Sequence, residues 1–394
     1  MRQIIAVLAV AVSCAAIAPA HADVIKTGSM FVADYGLSQL DRYQYTYNQT
    51  TNAITAITPY GFNGNTSNAY FLGGSSLPVK EGIHGTANDI ILVGGTHGSG
   101  VTTISRYTLD GAYIGTIPIN FSAYNSGNVG IGNVLVTPDG KYMYAPLETA
   151  GYVVKVSLAD GSIISSYKYA GAHDVAQAAD GTVYVANYNA SGAAIIALNS
   201  NLDASSLKTV VSASNSGVSG SFRPTGLSIA SDGTLYVDNN VRGGPDSVLH
   251  YNVGKQSDGT YVPSLLTGSS YIGSSSKNGL EFTFGNSIGP DGNLYIAALG
   301  GGGNGSFSVT SGYTDGIYMF STLTDTLTRV IDGTKEPSGG VGATGLSAPK
   351  YLQFDSNFVS APDAGYSVVE PASAMLLLGA VGGFGALRRR RRWG

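Results

Sequence analysis

Seven polar residues of this 394-residue chain carry chemistry that a site could use: Glu81, Asn133, His173, Asp174, Thr225, Asn286 and Lys350. Together they offer donors, acceptors and both signs of charge. His173 and Asp174 are adjacent, a general base beside a carboxylate. Neighbours on a strand point to opposite faces, however, so the sequence reads His173 as a channel-lining residue rather than half of an acid–base pair. Other chemistry is sparse. The one cysteine, Cys14, lies near the N-terminus and leaves the body without a thiolate nucleophile, a disulfide or a cysteine metal ligand. Gly94-Gly95 and Gly300–Gly303 have neither the lysine nor the following helix of a phosphate loop. A serine nucleophile elbow and a zinc-ligand spacing are both missing from the sequence.

The elements that would position those seven residues are set by a repeat. Val136–Tyr144, Gln177–Val185, Ile229–Val237 and Ile288–Ile296 each read as an apolar strand, an Asp-Gly turn and an alternating strand with a tyrosine near its end. The turn aspartates, Asp139, Asp180, Asp232 and Asp291, are 41, 52 and 59 residues apart. Asp-Gly supplies the positive φ angles of a tight two-residue hairpin, so each repeat predicts an antiparallel pair. A second pair follows, turning on Asp110-Gly111 and on Asp160-Gly161, and a weaker copy of the first begins at Asn88-Asp89. Four strands plus loops fit the spacing, as in a propeller blade, and no segment of the body sustains a 3.6-residue apolar period. The expected class is all-β: a six-bladed β-propeller, with residues 53–80 as the place where a seventh, degenerate blade would lie.

The ends of the body suggest how the ring closes. Pro349–Asp355 matches the first strand of a repeat but has no second strand after it, while Ser29–Tyr35 resembles a second strand without a first. Pairing them builds one blade from both termini and removes two free sheet edges. In such a ring the Asp-Gly turns share one face, and the opposite face carries the long connections near 61–80, 188–193, 239–247, 268–280, 299–315 and 333–347. Binding residues favour long loops on a rigid scaffold. The innermost strands begin on that face, which is why the seven polar residues are predicted to ring the channel mouth there.

Both termini lie outside the repeat. Residues 1–22 contain Arg2, the apolar run Ile4–Val12 and Ala20-His21-Ala22, the order of a removable export signal that engages the secretion machinery. At the other end, residues 361–371 form a linker with the motif Val369-Glu370-Pro371, and residues 372–387 form an apolar segment predicted to be a membrane helix. Residues 388–394 hold Arg388, Arg389, Arg390, Arg391 and Arg392. The arginines would keep the tip cytoplasmic and the body, residues 23–360, outside. Without Arg2, Glu370 and the five terminal arginines, the chain carries 15 basic and 24 acidic residues, a net charge of −9. That balance argues against nucleic acid as a partner, which needs a basic face.

Two resemblances add to this reading. The C-terminal order of motif, apolar segment and arginines resembles the PEP-CTERM sorting signal, with valine in place of the first proline. That resemblance implies an exosortase as partner, an inner-membrane intermediate, and a final place in the outer envelope or extracellular matrix associated with exopolysaccharide. The body is similar to the NHL and gluconolactonase-like propellers. In the latter, a glutamate before glycine, an asparagine and an aspartate bind a divalent cation such as calcium. Glu81-Gly82 matches the first, Asp174 is a loose match to the aspartate, and Thr225 stands where asparagine is expected. The expected function is therefore a non-enzymatic binding propeller for extracellular polysaccharide or protein. The alternative is a metal-dependent, lactonase-like hydrolase using Glu81 and Asp174.

Overall fold

The computed structural model describes residues 23–355, apart from 35–38, 61–68, 72–79, 86–88, 95–103, 110–112, 118, 126–128, 190–191, 193, 242–245, 267–279, 281–282, 300–314, 322, 325, 333–345 and 347–348. The export signal, the sorting motif, the apolar segment and the terminal arginines fall outside the described residues, as do most of the long connections. Among the described residues, no helix is long and apolar enough to cross a membrane.

The fold is all-β, and the described residues form six antiparallel sheets, numbered here by the order in which their inner strands adjoin. Sheet 1 runs from its inner strand Pro349–Phe354 through Ile25–Asp34 and Gln39–Asn48 to Ala53–Pro59, with Ala69–Phe71 also pairing on Gln39–Asn48. Sheet 2 begins at Lys80–Gly85, sheet 3 at Leu135–Val136, sheet 4 at Ala172–Gln177, sheet 5 at Pro224–Ile229 and sheet 6 at Thr283–Ile288; each continues outward through the next three strands of the chain. The inner strands of consecutive sheets touch all the way round, from sheet 1 to sheet 6 and back to sheet 1. This is a β-propeller. Between sheets, apolar side chains from facing surfaces form shared cores, such as Tyr184, Ile195, Leu227, Val237 and Leu249 between sheets 4 and 5. Burying each such side chain contributes roughly 1.5–3 kcal/mol.

Sheet 1 closes the ring as the termini suggested. Met30 pairs with Phe354, Phe31 with Gln353, Val32 with Leu352 and Ala33 with Tyr351. Asp355 locks the joint: its carboxylate accepts Ser29 N at 2.6 Å and the Tyr45 hydroxyl at 2.8 Å. Residues 53–59 are the outer strand of this sheet, so that part of the segment expected to hide a further blade is spent on closure.

The Asp-Gly turns occur where the repeat places them, but their geometry differs from the expected two-residue hairpin. Only the glycines have positive φ, 66° at Gly140, 84° at Gly181, 87° at Gly233 and 78° at Gly292. Each glycine N–H reaches back to the carbonyl three residues earlier, as Gly181 N does to Ala178 O at 2.9 Å. The aspartate side chain then accepts the N–H two residues on, as Asp180 Oδ1 does from Thr182 N at 2.9 Å. This is a longer turn in which aspartate caps its own backbone and glycine alone takes the left-handed conformation.

Candidate functional site

The inner strands share a defect that decides where their polar side chains go. Opposite the second strand in sheets 4, 5 and 6, the register skips one residue between Ala172 and Asp174, Pro224 and Gly226, and Thr283 and Gly285, and likewise in sheet 1 between Pro349 and Tyr351. The extra residues are His173, Thr225, Phe284 and Lys350. An extra residue of this kind bends the strand and re-aims side chains. The strict alternation that separated His173 from Asp174 therefore does not hold, and both engage the inner strand of sheet 5. Register also slips in sheet 2 between Lys80 and Ile83, the stretch that contains Glu81.

The four extra residues meet in the channel. His173 Nδ1 lies 2.8 Å from Thr225 O, which as a carbonyl can only accept, so Nδ1 carries the proton. Phe284 stacks on the imidazole with centroids 5.6 Å apart, and Tyr188 meets it edge-on at 5.2 Å. From sheet 1, three sheets away in either direction, the Tyr351 hydroxyl reaches across to within 3.2 Å of Nδ1 and 3.5 Å of Nε2. Lys350 Nζ stands 4.9 Å from the centre of the Phe284 ring. Gly285 makes the arrangement feasible, because a Cβ there would overlap the Tyr351 ring. The result is a plug rather than an open mouth: Asn133, His173, Asp174, Thr225, Asn286 and Lys350 are all buried. The Glu81 side chain lies outside the description.

Below the plug, carboxylates tie neighbouring sheets together. Asp174 accepts Val175 N at 2.7 Å through Oδ1 and Leu227 N of sheet 5 at 2.8 Å through Oδ2. Asp246, at the entry to the third strand of sheet 5, accepts Thr283 N of sheet 6 at 2.7 Å and Val241 N at 2.8 Å. Thr225 Oγ1 adds a bond to Thr283 O at 2.8 Å. Between them lies Asp238, fully buried against the bare Cα of Gly226. Neither of its oxygens completes a hydrogen bond among the described residues, and neither does Asn286 Nδ2. Burial drives all three carboxyls up from the ordinary range: Asp238 and Asp246 to about 7, and Asp174 well above its usual value. The backbone N–H bonds to Asp174 and Asp246, and the Asn286 side chain beside Asp238, offset only part of that cost.

The cavity lies at the other end of the channel. It has a volume of about 230 Å³ and is lined by the C-terminal ends of inner strands, including Gln177, Ser228 and Ser287, which precede Asp-Gly turns, and Gln353 of sheet 1. Of the seven residues singled out by sequence, only Asn133 borders it. Among the described residues no three histidine, cysteine, aspartate or glutamate side chains gather as a metal-holding group.

No protein-family profile matches the chain, and no curated protein matches it. Solved structures do. A chain of the nidogen/laminin complex aligns with a TM-score of 0.52 at 8% identity, covering 84% of this chain and 98% of that one. A Bacteroides fragilis protein provisionally assigned as a 6-phosphogluconolactonase aligns at 0.48 and 14% identity, covering 83% and 98%. Virginiamycin B lyase from Staphylococcus aureus aligns at 0.43 and 11% identity, covering 79% and 91%. At 8% identity the likeness to the first is one of fold alone.

Proposed function

We propose that this chain is an exported, six-bladed propeller that binds rather than hydrolyses, and that its C-terminal segment holds it at the envelope until an exosortase processes it near Pro371. Six sheets whose inner strands touch in a ring, five of four strands and one of five made from both ends of the body, support the blade count. Export and sorting rest on the sequence of residues 1–22 and 369–392. The binding role rests on one observation above the others. Asp174, the aspartate a lactonase-like cation site would need, has both oxygens committed to backbone N–H groups, one of them in the next sheet. A cation there would have to share two fully buried oxygens that already accept these N–H groups, at the expense of the inter-sheet tie. His173 is similarly committed through Nδ1.

Two measurements on the full-length protein test this reading. Aldonolactone hydrolysis with calcium, magnesium or zinc should not exceed the metal-only rate. Cation-dependent turnover lost in both Glu81→Ala and Asp174→Ala would establish the hydrolase instead. Cell fractionation should find the intact chain with membranes, and deletion of residues 374–394 should release the body. Intact protein with its arginines, soluble in the periplasm, would sink the sorting half.

A further inference from the structure

The geometry points to a binding site for a neutral polyhydroxy compound, a single sugar ring or cyclitol, in the channel cavity at the Asp-Gly turn face. The inference takes from the proposed function only that the channel binds. It moves the site to the other end of the channel, where Asn133 is the one of the seven residues favoured by sequence that takes part.

The lining chemistry selects the ligand class. Among the described residues, the cavity wall holds no carboxylate, ammonium, guanidinium or imidazole; its polar groups are the amides of Asn133, Gln177 and Gln353 and the hydroxyls of Ser228 and Ser287. A cation would want carboxylates and an anion would want basic groups. A wholly apolar ligand would strip water from amides and leave them unsatisfied, which is unfavourable. The turn aspartates nearby do not alter this, since Asp180 and Asp232 already accept the N–H groups of Thr182 and Thr234.

Several of these groups have capacity to spare. Gln353 engages the protein through Oε1, which accepts the Ser287 hydroxyl at 3.3 Å, so its amide N–H groups remain available to a ligand. Gln177, half-buried at the rim, donates one N–H from Nε2 to Gly181 O at 3.3 Å, which leaves its second N–H for a ligand. Ser228 donates its proton to Asn286 Oδ1 at 2.5 Å, which leaves oxygen lone pairs to accept from a ligand hydroxyl. Donors and acceptors on opposite walls suit hydroxyl groups, which do both. The remaining wall, Val134, Leu135, Val175, Ala176, Leu227, Ile229 and Ile288, is apolar and can meet the C–H faces of a ring. Size agrees: a cavity of about 150 Å³ holds benzene, and 230 Å³ leaves room for a six-membered ring with its hydroxyls. The plug around His173 and Tyr351 closes the far end, so entry is from the turn face, where Gln177, Ser228 and Ile229 are only half-buried.

Saturation-transfer NMR on the full-length protein tests the assignment with methyl α-D-glucopyranoside, methyl α-D-galactopyranoside and myo-inositol, against gluconate, choline and cyclohexanol as charged and apolar probes of similar size. At least one neutral polyol should bind, and Gln353→Leu should weaken it about tenfold, the loss expected for one or two hydrogen bonds. Gln353 also holds Ser287, so Gln177→Met at the rim is the second variant, with the melting temperature measured for both. The assignment is overturned if no polyol shows transfer, if gluconate, choline or cyclohexanol binds as well as the polyols, or if folded Gln353→Leu and Gln177→Met proteins bind like the parent. Cation-dependent lactone hydrolysis that survives Gln353→Leu would instead defeat the proposed function and leave this site standing.

Discussion

The two ends of the channel are built from the same strands and are equally polar in sequence, yet they use polarity in opposite ways. At the long-connection end, His173, Asp174, Thr225 and Asn286 are buried, and the hydrogen bonds of the first three run to backbone groups of neighbouring strands. At the turn end, Gln177 and Gln353 each keep part of an amide uncommitted beside a cavity. A polar residue in a propeller channel therefore says little until its partners are counted. Where the partners are backbone N–H and C=O groups of the next sheet, the side chain is a structural tie. Where they run short beside a cavity, it is capacity for a ligand.

The sharpest way to break this contrast is to cut a tie. Asp174→Ala should lower unfolding free energy by about 2–4 kcal/mol, because two N–H groups lose their acceptor, one of them across sheets. Asp174→Asn, which keeps one acceptor oxygen, should cost about half as much. Chemical denaturation reads both. If Asp174→Ala is neutral, the long-connection end is not structural in the sense argued here.

A smaller effect should appear in the pH dependence. Asp238 and Asp246 have folded-state values raised from 3.8 to about 7, so the folded protein holds protons that the unfolded chain has released. Between about pH 4 and pH 7 stability should therefore fall as pH rises, and Asp174, also raised by burial, adds to the same trend. Asp238→Asn should flatten that slope, as it removes one of the buried carboxyls that the fold keeps protonated to higher pH. Thermal melts at a series of pH values show the trend, and stability that climbs between pH 5 and 7 would contradict it. The smallest effect belongs to the turn end. Gln177→Ala should move stability by no more than about 0.5 kcal/mol and leave the pH profile unchanged below about pH 9, since it alters a weak bond to Gly181 O and a contact with Tyr144, whose hydroxyl is pushed up to about 12 by burial. A large loss there would erase the distinction between the two ends.

Much of the architecture was legible because it rests on local signals. The Asp-Gly turns marked four strand pairs, and the unpaired Pro349–Asp355 segment identified its partner near Met30 before any coordinates were needed. Turn type was less legible, because Asp-Gly also ends longer turns in which only glycine needs positive φ. The surroundings of the predicted site residues were less legible for a different reason. Alternation along a strand assigns a face, but it cannot anticipate an extra residue that suspends alternation at His173, Thr225 and Lys350. Nor can it show that Tyr351 and Phe284, distant in sequence from His173, fill the space in front of it. A usable signal did exist at the other end. Gln177 precedes its Asp-Gly turn at the position held by Val136, Ile229 and Ile288 in the other repeats, so a polar residue there stood out against an apolar pattern.

The joint between Met30–Asp34 and Pro349–Phe354 also imposes an order of events on the growing chain. Sheet 1 contains the first strand to emerge and waits for the last. Until residue 354 is free, Phe31 and Val32 belong to an open strand edge, the kind of surface that recruits other chains or invites proteolysis. Sheets 2 to 6 consist of consecutive strands and can assemble as they appear, but they form an arc, not a ring. The fold thus measures its own length: a product truncated anywhere before Pro349 keeps a sticky end, and only a chain that has delivered its final strand becomes a closed, unreactive body.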